Sequence, residues 1–157
     1  MDPGDFSDDE PSDHLRFAAY LEELAQVADI DEIDVVIRIL TDPDTLMAEA
    51  AVVRHVDRRA TDLYLTPAYD RWAESIEQAT TDHPFLVRRL HEWACFRAVM
   101  LDRPWSPDAI TESSDWLQRK LAGCANDRNA LTLLAEYGRT KRIRGLARTR
   151  VGRAETR

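Results

Sequence analysis

The chain has 157 residues, 44% of them apolar and 32% charged, with a formal net charge of −8, which is the size of one ordinary domain built round a single core. No apolar run approaches the roughly 18–20 residues that cross a bilayer, so the pattern excludes a helical membrane anchor. The acidic start MDPGDFSDDEPSD is unlike the basic, then apolar, opening of a secretory leader, and the expectation is a cytoplasmic protein with no membrane partner.

Charge is segregated along the chain. Residues Met1 to Ala50 hold 15 acids and 2 bases, Ala51 to Lys120 hold 11 and 10, and Leu121 to Arg157 hold 3 and 9, which gives an acidic head and a basic end able to meet separate partners. Among the 21 cations only Lys120 and Lys141 are lysine, a bias that a GC-rich bacterial coding sequence produces without any chemical demand for guanidinium groups.

Residues 1–12 combine clustered acids with two prolines and a lone Phe6, too little apolar surface to offset the entropy of ordering. They are expected to form an acidic disordered tail, followed by a single all-helical domain over 13–151 and a disordered basic end over 152–157. From Ser12 onward apolar residues recur at steps of three and four without the alternation of a half-buried strand. The first helix follows a cap at Ser12 or Asp13 and lines up Phe17, Leu21, Leu24 and Ala28. The second, in DEIDVVIRIL, lines up Ile33, Val36, Ile37 and Leu40, with Val35 and Ile39 beside them. TDPD supplies a cap and a first-turn proline for a third helix bearing Leu46, Ala50, Val53, Val56, Ala60 and Leu63.

Thr66 and Pro67 repeat that signal before a fourth helix with Tyr69, Trp72, Ala73, Ile76 and Ala79 on one face. A fifth runs from Pro84 with Val87, Leu90, Ala94, Ala98 and Leu101, Trp93 and Phe96 lying alongside. Ser106 and Pro107 open a sixth that carries Ile110, Trp116, Leu117 and Leu121; a short seventh covers Asn129 to Tyr137, with Gly138 as a left-handed terminator. The last runs from Thr140 to about Val151. The two cysteines, Cys95 and Cys124, lie in these helical patterns without CxxC spacing, as buried free thiols do. The expected fold is therefore all-α, seven or eight helices in antiparallel hairpins, arranged as a compact bundle or a short α-solenoid.

In ALTLLAEYGRTKRIRGLARTR, residues Leu131, Leu134, Ala135, Gly138, Ile143, Arg144 and Ala147 resemble the packing positions of a HEAT-like or leucine-rich-variant helical pair. IRILTDPDTLMAEAAVVRHV is similar, an apolar helix and one rich in small residues joined by TDPD. The resemblance covers about a quarter of the chain, and it implies a protein-binding or nucleic-acid-binding surface in place of a catalytic site.

Seven of the fifteen residues from Arg139 to Arg153 are Lys or Arg. On a helical wheel at about 100° per residue, Ile143, Leu146, Ala147 and Val151 form an apolar side. Lys141, Arg144 and Arg148 fall together on one flank, Arg142 and Arg153 on the other, and Arg150 falls inside the apolar sector. Such a flank neutralises phosphates without reading sequence, and a packed helix exposes the same cations with no ligand at all. Trp105, in DRPWSP, either staples the junction of the fifth and sixth helices or stands out as an interface anchor. Trp116 in SSDWLQRK extends such a surface or packs, while Trp72 and Trp93 read as core.

The acids of DIDEIDVV lack the glycine and glutamate of a calcium loop and sit where a helix dipole favours negative charge. His91 and Cys95 share a helix face with Glu92 beside His91, but no third zinc ligand lies at a familiar spacing and HExxH is absent. GxGxxG and Walker patterns are absent as well, so no cofactor is expected. The preferred expectation is a non-catalytic adaptor or regulatory protein that binds another protein. Sequence-independent nucleic-acid binding through Lys141, Arg142, Arg144 and Arg148 is the second, and an enzyme with a site assembled round His55, His91 and Glu92 the third.

Overall fold

The computed structural model describes residues 9–156. The first eight residues of the expected acidic tail and Arg157 of the basic end lie outside them. Among the described residues the protein is all-α: nine α-helices, one 3-10 turn and no strand. They are α1 (Asp9–Gln26), a 3-10 turn (Asp29–Asp31), α2 (Glu32–Ile39), α3 (Thr45–Leu63), α4 (Tyr69–Ala79), α5 (Pro84–Met100), α6 (Pro107–Thr111), α7 (Asp115–Cys124), α8 (Arg128–Tyr137) and α9 (Lys141–Glu155). The chain divides within α5 into a first unit, Met1–Arg89, and a second, Leu90–Arg157.

Local chemistry sets the helix ends. The Asp44 carboxylate accepts from Met47 N at 3.1 Å, Asp127 from Ala130 N at 3.0 Å, and the Thr140 hydroxyl from Ile143 N at 3.1 Å, each satisfying a first-turn N–H that has no helical partner. In TDPD it is therefore Asp44 that caps α3, with Pro43 just outside the helix. The single sixth helix read from the sequence is two. After Ile110 the Ser113 hydroxyl turns back onto the Ile110 carbonyl at 2.6 Å, and Glu92 takes both the N–H and the hydroxyl of Ser114, at 3.0 and 2.7 Å. Those bonds give the backbone an alternative to continuing the helix. At the end of α5, Arg103 N bonds to Ala98 O at 2.8 Å and Asp102 N to Val99 O at 3.4 Å, with Asp102 at φ 53°; this is a Schellman ending in which Asp takes the position usual for Gly.

In the first unit, α1 packs on α3 and α2 on α4. The faces that turn inward differ from the stripes read off the sequence. On α2 the buried positions are Glu32, Val36 and Ile39, while Ile37 is 46% exposed. On α3 they include Ala48, Val52, His55 and Val56, while Leu46 is 80% exposed. Both faces carry inward a residue of one bonded pair, Glu32 and His55 at 2.7 Å, and a polar pair that satisfies itself sits in a core at little cost.

In the second unit α8 and α9, joined by three residues, fold back on each other, α7 lies against α9 and α6 against α8. The buried side of α5 here is Leu90, Trp93, Phe96 and Val99; large aromatics bury more area than the alanine stripe does, so they decide the rotation. Trp93 meets Phe96 edge-to-face at 5.5 Å and Trp116 at 5.5 Å, and Lys120 Nζ stands 4.8, 4.9 and 5.9 Å from the Trp93, Phe96 and Trp116 rings, a cation over three aromatic rings. Trp116 is thus a packing residue.

Gly138 does not take a left-handed conformation: its φ is −54°. It is glycine for space, since a Cβ would lie 2.6 Å from the Leu134 carbonyl oxygen and 2.8 Å from Ile143 Cγ2. Both thiols are free, Cys95 half-buried and Cys124 exposed; the sequence reading buries Cys124, but it closes α7 at the protein surface. No helix among the described residues is long and apolar enough to cross a membrane.

Candidate functional site

The best-built polar cluster belongs to the first unit and centres on Glu32, at the start of α2. Its Oε1 accepts from His55 Nε2 at 2.7 Å, Arg59 Nε at 3.0 Å and Trp72 Nε1 at 3.0 Å, and its Oε2 from Arg59 Nη2 at 3.1 Å. His55 and Arg59 stand four apart on α3 and so share a face; Trp72 comes from α4. Arg58 Nη2 donates to His55 Nδ1 at 3.1 Å and to the Leu24 carbonyl at 2.9 Å, which leaves Nε2 as the protonated ring nitrogen that donates to Glu32. Burial by itself would push the Glu32 carboxyl up; the donors from His55, Arg59 and Trp72 outweigh it and hold the group at about 2. Arg59 also reaches Asp29 at 3.1 Å.

Glu32, Arg59 and Trp72 of this cluster line an open concavity of about 690 Å³. Ile30, Ile33, Leu63, Pro67, Ala68 and Trp72 give it an apolar lining; Asp29, Arg59, Arg71 and Ser75 complete its walls. Ile30 stands on the 3-10 turn at its edge, 89% exposed. Sequence patterning treats Trp72 as core and Glu32 as one acid of a run. The signal that marks the site is the i, i+4, i+7 set Glu32, Val36, Ile39 together with the i, i+4 pair His55 and Arg59.

In the second unit the structure sorts the cations of the basic stretch by what they do. Arg144 Nη1 donates to the Gly138 carbonyl at 2.6 Å. Arg150 donates to the Ala122 carbonyl at 3.1 Å and Asn126 Oδ1 at 3.2 Å, so its position inside the apolar sector brings it onto the last turn of α7, where carbonyls lack helical partners and attract positive charge. Arg139 donates to the Ser113 carbonyl at 3.0 Å and pairs with Asp115 at 3.2 Å. Lys141, Arg142, Arg148 and Arg153 are exposed. Trp105 is half-buried, its indole N–H donating to Asp127 Oδ2 at 3.1 Å, which ties the α5–α6 link to the capping residue of α8.

The residues weighed for catalysis take different partners. His55 is held by Glu32 and Arg58, and Glu92 binds Ser114 ahead of α7. His91 is exposed, and burial pushes the Cys95 thiol up, away from the thiolate form. Among the described residues there is no group of three or more His, Cys, Asp and Glu placed to hold a metal ion. Neither a protein-family model, nor a curated protein, nor a solved structure matches this chain.

Proposed function

We propose that this protein acts by binding another macromolecule, in an adaptor or regulatory role without catalysis of its own, and that a protein partner docks in the concavity of the first unit. The observation that supports this reading is the saturation of Glu32: both its carboxylate oxygens accept from His55, Arg59 and Trp72, and these donors hold it in its ionised form. A general acid needs a proton to give and a general base a free oxygen lone pair with an affinity for protons near neutral pH; this carboxylate carries no proton there and spends its oxygens on four accepted bonds. What the concavity offers instead is apolar surface with an exposed Ile30 at its lip, the make-up of a contact patch.

The occupant that fits is a helical or extended segment bearing an apolar anchor flanked by Lys or Arg. The first unit carries 21 acids against 8 bases, and Asp29 and Asp31 flank Ile30 on the exposed turn. Titration of the ¹⁵N-labelled protein with an amphipathic Leu/Lys helical peptide is expected to shift the amides of Asp29 to Ile33 and the Trp72 indole N–H. Ile30→Asp should weaken that binding about tenfold, the effect of losing one well-buried anchor. A Leu/Glu peptide that binds equally well, or shifts that map to other surfaces, would sink the reading.

A further inference from the structure

We infer that the outer face of α9 is a sequence-independent contact surface for double-stranded DNA, seated in the major groove with cations on both phosphate backbones. It lies in the second unit and is independent of the concavity described above.

The cations carry the inference. The second unit holds 13 Lys and Arg against 8 Asp and Glu, the reverse of the first. Lys141, Arg142, Arg148 and Arg153 are exposed and form no ion pair among the described residues. The single acid of α9, Glu155, is already paired with Arg128 at 2.6 Å. At about 100° per residue, Lys141 and Arg148 fall within about 20° of each other, as do Arg142 and Arg153, and the two rows stand about 120° apart on the solvent side. Along the axis the rows extend roughly 10 and 16 Å, enough for the two cations of each to meet separate phosphates of a strand whose charges recur about every 3.4 Å.

Between the rows lie Gly145, Thr149 and Gly152. A Cβ at either glycine would meet nothing within 4 Å, so packing does not require them, and Thr149 turns its hydroxyl back onto the Gly145 carbonyl at 3.0 Å. The helix thus presents a low ridge with charge on both shoulders. An α-helix about 10–12 Å across enters a major groove about 12 Å wide; the deep, narrow major groove of duplex RNA does not admit it. With no side chain on the ridge free to reach base edges, the contact positions the protein without reading sequence.

The test is fluorescence anisotropy of the full chain with a labelled random-sequence DNA duplex of about 20 base pairs, run in parallel with duplex RNA of the same length and with anionic phospholipid vesicles. Four phosphate contacts give a slope of about −3.6 in log K against log salt, roughly a hundredfold loss between 50 and 200 mM. Lys141→Gln, Arg142→Gln, Arg148→Gln and Arg153→Gln together should abolish binding at low salt, with circular dichroism unchanged. Gly145→Leu with Gly152→Leu alters no charge and raises helix propensity; it should still weaken DNA binding about tenfold by filling the ridge. Ile30→Asp should bind as the parent does. No binding at low salt, equal binding to RNA, binding to vesicles alone, or indifference to the leucine pair would each overturn the proposal.

Discussion

Glu32 lies almost wholly out of water yet accepts four hydrogen bonds, two of them from one guanidinium. Charge-assisted, bidentate bonds of that kind are the strong ones, and they turn a group that burial alone would neutralise into a carboxylate held at about 2. Removing one partner of such a cluster leaves the others desolvated, which costs more than the bonds themselves contribute. Glu32→Gln keeps the shape but points an amide N–H₂ at groups that are themselves donors. It is expected to destabilise the first unit by about 3 kcal/mol, read as a lower urea midpoint at unchanged slope. A loss within 0.5 kcal/mol would mean that solvent reaches the cluster. None of this is legible in DEIDVVIRIL taken alone, because the residue types that make Glu32 a core position lie 23, 27 and 40 residues further on.

At the scale of the element, the two helices closing the chain show how far periodicity carries. The apolar positions Leu131, Leu134, Ile143 and Ala147 are buried as their spacing requires, because the α8–α9 hairpin is made of near neighbours in sequence. The role of Gly138 is not visible that way: the residue looks like a terminator by type, and its true constraint is the approach of Ile143 across the turn. Glycines in one hairpin should therefore respond to alanine with opposite signs. Gly138→Ala forces a Cβ into a backbone oxygen and a packed methyl and is expected to cost about 1–3 kcal/mol. Gly145→Ala, in open space within α9, should stabilise by about 1 kcal/mol. Thermal melts of the two single variants check this; a destabilising Gly145→Ala would mean that the outer face of α9 is covered.

At the scale of the whole chain, acid and base are divided between the units: 21 acids against 8 bases in the first, 8 against 13 in the second. The charge counts are plain in the sequence, whereas the carboxylates that stabilise the fold are not. Two that the structure holds below their ordinary range, Glu32 and Asp42, belong to the first unit. Asp42 is lowered chiefly by the Tyr20 hydroxyl at 2.7 Å, helped by Asp44 N and by Arg16 at 2.9 Å. A carboxyl whose folded value lies below its unfolded one contributes stability that is complete above the unfolded value and is lost as pH falls through the folded one. For Glu32 that window runs from about 4.5 down to about 2, and the stability at stake is roughly 3 kcal/mol, a large share of what a domain has. The first unit is therefore expected to open before the second as the solution is acidified. Hydrogen exchange read by mass spectrometry at pH 6, 4, 3 and 2.5 should show protection lost from α2, α3 and α4 while α7, α8 and α9 keep theirs. Measuring in 0.5 M salt screens the repulsion among the cations left once the ordinary carboxylates are protonated, so that the order reports the Glu32 and Asp42 clusters and not net charge. Simultaneous loss from both units, or earlier loss from α7 to α9, would show that these two carboxylates do not govern the acid limb.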